Sequence, residues 1–159
     1  YKIGDTIKFT SLNPYRIIVS GRTKHYINTF GEEVIIENVE NALEKVIKVH
    51  RCKITDYTVA PKFMKSGKKG KHEWIIEFSK EPKNFNHFIK DVDIEIQKIN
   101  TDYKAKRFKN ITLDIPKLYV ARKNLFYDWL KSNNKIGGQN KIPRLANNRD
   151  FFEELLKIN

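Results

Sequence analysis

Two β-rich segments, KITDYTVAP (53–61) and KHEWIIEFS (72–79), stand on either side of a run of lysines and glycines. Both are dense in β-branched and aromatic residues, and the short polar connection makes them an antiparallel hairpin. That hairpin constrains the rest of the chain, because amphipathic helical segments precede and follow it. Val39, Ala42, Leu43, Val46, Ile47 and His50 recur with the 3.6-residue period of one helix face, with Asn38 placed to cap its start. After Pro82, a longer helix carries Phe85, Phe88, Ile89, Val92, Ile96 and Ile99 on one stripe and closes near Asn100.

The remaining elements fit the same plan. TIKFT (6–10) and YRIIVSG (15–21) read as a first hairpin with Pro14 at its turn. ITLDIPKLYVA (111–121) reads as a strand interrupted by Pro116, hence an edge strand or a bend. KNLFYDWLKS forms a short helix, NNKIGGQNKIPRL a polar loop, and DFFEELLKI a closing helix. Strands mixed with helices in this order predict an α+β domain, a mixed sheet flanked by helices and preceded by a β-hairpin.

Composition narrows the class. With 159 residues and 40% hydrophobic content, the chain can bury roughly two thirds of its unfolded surface in one domain. No apolar run approaches the ~20 residues of a membrane span. The lone Cys52 forms no internal disulfide, which fits a reducing cytoplasm. The chain opens at Tyr1, and Met64 is its only methionine, so it reads as a piece cut from a longer protein. A net charge of +12 raises a second possibility, a basic module that binds RNA or DNA. Against it, the lysines are spread along the chain, and the densest run, KSGKKGKH (65–72), reads as a solvated loop.

Metal and nucleophile patterns are missing from the sequence. His25, His50, His72 and His87 lack ligand spacing, one cysteine makes no zinc site, and no glycine-rich phosphate loop opens a helix. Three stretches nonetheless carry chemistry. YKIGD (1–5) places Asp5 where a carboxylate could accept hydrogen bonds from vicinal hydroxyls, although a turn-shaping role fits it equally. GRTK (21–24) sets Arg22 and Lys24 at a strand end, where a guanidinium can fork onto phosphate or simply be solvated. GGQNKIPR (137–144) sets Lys141 on a glycine-bearing loop, a mobile arm able to deliver an ammonium elsewhere.

In this order the three stretches resemble the C-terminal part of adenylate-forming enzymes. INTFGEEVI, ITDYTVAP, HEWIIEF, NTDYKAKR and GGQNKIPRL further resemble one branch, the Gretchen Hagen-type (auxin-responsive promoter family) acyl acid amido synthetases and their bacterial relatives. The resemblance covers nearly the whole chain. It implies an ATP-dependent ligase, using ATP with Mg2+, that adenylates a carboxylic acid and joins it to an amino acid. It also implies that residues 1–21 end an N-terminal domain and that 22–159 form a mobile C-terminal domain. The N-terminal domain would hold most of the ATP site, so this piece alone would be inactive. By the same resemblance Asp5 holds the ribose hydroxyls, Arg22 lies beside the nucleotide, Lys24 is the hinge and Lys141 is the catalytic lysine. Glu32-Glu33 stands where plant members carry an Asp-x-Asp-Lys segment, so the role of that lysine does not transfer.

Overall fold

The computed structural model describes residues 5–22, 26–65, 68–137 and 141–159, with 5, 6 and 20–22 described by backbone alone. The elements run β1 (Asp5–Leu12), β2 (Tyr15–Arg22), β3 (Tyr26–Ile27), β4 (Val34–Ile35), α1 (Ile36–His50), β5 (Lys53–Lys62) and β6 (Lys71–Lys80). They continue with α2 (Phe85–Ile99), α3 (Thr101–Arg107), β7 (Lys117–Ala121), α4 (Leu125–Ser132) and α5 (Asp150–Ile158).

The central sheet has the order β5-β6-β7. The hairpin expected from sequence forms, with Val59 opposite Trp74 and Pro61 opposite His72. β7 joins the other side of β6 in parallel, Ile75 opposite Tyr119. Its position makes β6 the middle strand, which is why His72 through Glu77 are all buried. β7 is shorter than the 111–121 segment because Pro116 has no N–H for the ladder, and pairing starts only at Lys117. The residues before it turn back instead: Leu113 N–H donates to Lys106 O (3.0 Å) and Asp114 N–H to Gly70 O (2.8 Å).

Alternate residues of β6 feed two cores, as the two-residue period of a strand requires. Trp74 and Ile76 meet Val39, Leu43 and Val46 of α1 and Phe88, Val92 and Ile96 of α2. Ile75 meets Leu125, Phe126 and Trp129 of α4 and Phe152 and Leu155 of α5. The fold is therefore an α+β domain with helices on both faces of a mixed sheet, together with the N-terminal hairpin β1-β2.

Helix ends depart from the expected caps in one place. Asn38 is the third residue of α1 rather than its N-cap, and its Oδ1 accepts from the Ile35 N–H at 3.2 Å, so it caps the turn from inside. Asn84 caps α2 through the His87 N–H (2.9 Å). Asn100 ends α2 and its Oδ1 accepts from the Tyr103 N–H (2.7 Å), starting α3. That seven-residue helix is not foreseen from the sequence, because it buries only Tyr103 and Arg107, too few positions to make a periodic stripe.

Candidate functional site

The late lysine segment is fastened to the sheet. Val59 N–H donates to Arg144 O (2.9 Å), Ala146 N–H donates to Val59 O (3.1 Å), and Val59 and Leu145 form a parallel bridge. The Thr58 hydroxyl adds a bond to Pro143 O (2.7 Å). Ile142 and Leu145 are buried, one in each core. Of the glycine-bearing loop, residues 138–140 lie outside the described residues, and Lys141 is exposed directly before a segment laid along β5. An apolar anchor on each side of Pro143 is the physical reason. The sequence signal was the pair of large apolar residues, Ile142 and Leu145, in an otherwise polar stretch.

Around this segment β5 and α1 bring charged groups together. The Arg144 guanidinium pairs with the Glu40 carboxylate of α1 and lies over the Tyr57 ring, 5.2 Å from its centroid. Tyr57, Asp56, Arg144 and Glu40 line a 240 Å³ groove, whose apolar wall is Leu43, Ile47 and Ile54. Among the described residues the buried Tyr57 hydroxyl has no hydrogen-bond partner. Burial, partly offset by the Arg144 charge, pushes this phenol well above its usual pKa, so it stays protonated. Burial also raises the Asp56 carboxyl, more than the Tyr57 N–H (2.9 Å) and the charges of Arg144 and Lys141 lower it. The groove thus sets one guanidinium, already paired with Glu40, among the carboxylates of Glu40, Glu44 and Asp56, with the Tyr57 hydroxyl enclosed.

Of the other residues singled out from sequence, Asp5 and Arg22 are backbone partners at the open end of the first hairpin. Their side chains, and all of Lys24, lie outside the described residues.

Glu32 is explained by packing. It is fully buried, with its Oε1 2.9 Å from His72 Nε2 and its Oε2 accepting from the Phe30 N–H at 2.6 Å. Burial pushes its carboxyl up, but the bond and charge of His72 together with the Phe30 N–H outweigh that and hold it below the usual glutamate value. The His72 ring lies 5.4 Å from that of Tyr103. Tyr103 in turn donates to Asp93 Oδ1 at 2.7 Å. Asp93 is also gripped by Arg107, Nε to Oδ1 and Nη2 to Oδ2, both at 2.8 Å. These contacts tie the 28–33 loop and α3 to β6 and α2. Sequence reading missed this network, although Asp93 sits beside Val92 on the buried stripe and demanded a partner.

No helix among the described residues is long and apolar enough to cross a membrane. Among the same residues, no group of three or more His, Cys, Asp or Glu could hold a metal ion.

Residues 37–150 match the GH3 family C-terminal domain. The chain belongs to the GH3 family. The resemblance drawn from INTFGEEVI, ITDYTVAP, HEWIIEF, NTDYKAKR and GGQNKIPRL is thereby borne out at family level. The GH3 domain is also similar to a solved structure of the GH3.15 acyl acid amido synthetase, with a TM-score of 0.73 and 18% identity over 98% of this chain and 29% of that one. A second, AtGH3.15 acyl acid amido synthetase in complex with 2,4-DB, matches with a TM-score of 0.74 and 16% identity over 99% and 30% of the two chains. At these identities the likeness is one of fold. The GH3 domain spans less than a third of the length of either structure. No curated protein matches it by sequence.

Proposed function

We propose that this chain is the C-terminal domain of an acyl acid amido synthetase, which adenylates a carboxylic acid with ATP and passes the acyl group to an amino acid. Lys141 is the catalytic residue of this reading, Asp5 and Arg22 contact the nucleotide, and Lys24 is the hinge. The observation that carries it is the fastening of the 142–146 segment to β5, which sets the exposed Lys141 at the entry to a segment held in register with the sheet. Adenylation brings a carboxylate onto a phosphate, so two anions must approach each other. One ammonium about 4 Å from that charge contributes roughly 4 kcal/mol at an effective dielectric near 20. Magnesium would arrive with ATP; no group of the described residues fits it, and it is given no role here.

The first hairpin supports the division near residue 22. Ile7, Phe9, Leu12, Tyr15, Ile17, Ile18 and Val19 are each at least half exposed. A two-stranded hairpin is marginal in water on its own, so this surface fits packing against a further domain of the same enzyme. Residues 1–21 are read as the end of that N-terminal domain and 22–159 as the moving part. Cytoplasmic ATP would supply the reaction, and the domain alone would be inactive.

The test is carboxylate-dependent pyrophosphate release by a full-length enzyme carrying this domain, compared with its Lys141→Ala variant across a panel of acids and amino acids. Loss of about 10²-fold or more supports the assignment. A variant as fast as the parent would place Lys141 outside the chemistry.

A further inference from the structure

A second, larger basin lies at the opposite end of β5. It measures 560 Å³, within the range of small-molecule sites. Asp56 and Lys62 are six residues apart on the strand, about 20 Å at roughly 3.3 Å per residue, so the basin is separate from the groove lined by Asp56 and Arg144. Its lysines come from two parts of the chain. Lys62 at the end of β5, Lys65, Lys68 and Lys69 of the connection and Lys71 at the start of β6 form one part, and Lys117 at the start of β7 the other.

The described residues of the connection make specific backbone contacts. Lys65 and Lys68 exchange backbone bonds, Lys68 N–H to Lys65 O at 2.8 Å and Lys65 N–H to Lys68 O at 3.3 Å. Gly70 is held from both sides. Its carbonyl accepts from the Asp114 N–H, and the Phe30 ring packs so close that a Cβ would stand 2.5 Å from it.

The basin has two carboxylates, and both are already engaged. Asp114 pairs with Lys71 (3.2 Å) and Glu73 with Arg149 (2.9 Å). Lys117 rests on the Tyr119 ring, 4.2 Å from its centroid. Among the described residues Lys62, Lys65, Lys68 and Lys69 have no carboxylate partner. Four exposed lysines lining one concavity gather positive charge there, which a multivalent anion would neutralise. Ammonium groups act as point charges on phosphate oxygens and suit a compact anion with several of them. The half-exposed Phe63 on the rim offers an aromatic face as well.

We infer that this basin binds a linear oligophosphate, either free or as the phosphate chain of a nucleotide. Binding here does not depend on the reaction proposed for Lys141. The test is isothermal titration of the 159-residue chain with tripolyphosphate and, separately, with ATP, at about 50 and 200 mM salt. One equivalent of tripolyphosphate binds, with affinity at least tenfold weaker at the higher salt. The triple variant K65E/K68E/K69E loses at least tenfold. A control with the same charge change, K48E/K131E/K157E, and the Lys141→Ala variant each bind within about threefold of the parent. Thermal melts confirm that each variant is folded. If ATP binds more tightly than tripolyphosphate and Phe63→Ala removes only that excess, the nucleotide is the source of the phosphates. Equal affinities assign the site to the free anion. The inference is overturned by absent binding, by an equal loss in the control variant, or by RNA binding that tripolyphosphate does not displace. The last would mean an extended nucleic-acid track.

Discussion

Replacing Asp93 by Asn keeps the shape of the side chain and removes its charge. In the folded domain four donors converge on this carboxylate. Arg107 Nε and the Tyr103 hydroxyl reach Oδ1, while Arg107 Nη2 and the Gln97 amide reach Oδ2, at 2.7–3.0 Å. An asparagine offers one acceptor oxygen and turns an amide donor towards the remaining donors. The Arg107 guanidinium, 5% exposed, keeps its charge without a counterion. Breaking one partner of a buried pair costs about 3–5 kcal/mol. At an m-value of about 2 kcal/mol/M, the urea midpoint then falls by about 2 M. Equilibrium urea unfolding of the chain and variant measures this directly. Substituting Met for Arg107 in the Asp93→Asn background removes the orphaned charge, so the double variant is expected to be less destabilised than the single one. A midpoint shift below about 0.5 M, or a double variant whose losses simply add, would refute the view that Arg107 depends on this carboxylate for burial.

Two further outcomes follow from the geometry. Asp56 has a raised pKa in the folded state, so folding favours its protonated form, and its charge costs stability above the ordinary aspartate value of 3.8. That cost disappears as pH falls through the raised value towards 3.8. Asp56→Asn keeps the oxygen that accepts from Tyr57, so it should raise the melting temperature at pH 7 and lose that advantage near pH 3.5; a lower melting temperature at pH 7 would contradict this. Gly70→Ala forces a methyl against the Phe30 ring, and about 1–3 kcal/mol of destabilisation is expected in urea melts, partly relieved by adding Phe30→Leu.

The elements legible in the sequence are those whose pattern repeats over several turns or rungs. The β5-β6 hairpin, the α2 stripe and the final helix fall where periodicity puts them, because each buries one continuous face. The α3 helix and the late start of β7 escape that reading, since each is decided by one residue: Asn100 as a cap and Pro116 as a missing donor. The candidate site was legible in part. Lys141 stood out through the resemblance carried by GGQNKIPRL, whereas the groove residues Asp56, Tyr57 and Glu40 became visible only when β5, α1 and the 142–146 segment met. Glu32 and His72 are forty positions apart and carry no local signal of their pairing. The basin lysines looked like a solvated run because Lys117 approaches them only through the sheet.

The attachment of residues 142–146 to β5 also bears on how the length of this region can vary. Residues gained or lost between Lys135, whose ammonium lies over the Trp129 and Phe151 rings, and Lys141 would change the path into the segment, at a loop-closure cost that grows slowly with length. One residue gained or lost between Lys141 and Ala146 would instead break the register of Thr58 and Val59 with their partners, pull Ile142 or Leu145 from its core and reposition the ammonium. Insertions and deletions among descendants of this sequence should therefore accumulate between Lys135 and Lys141 and stop at the latter.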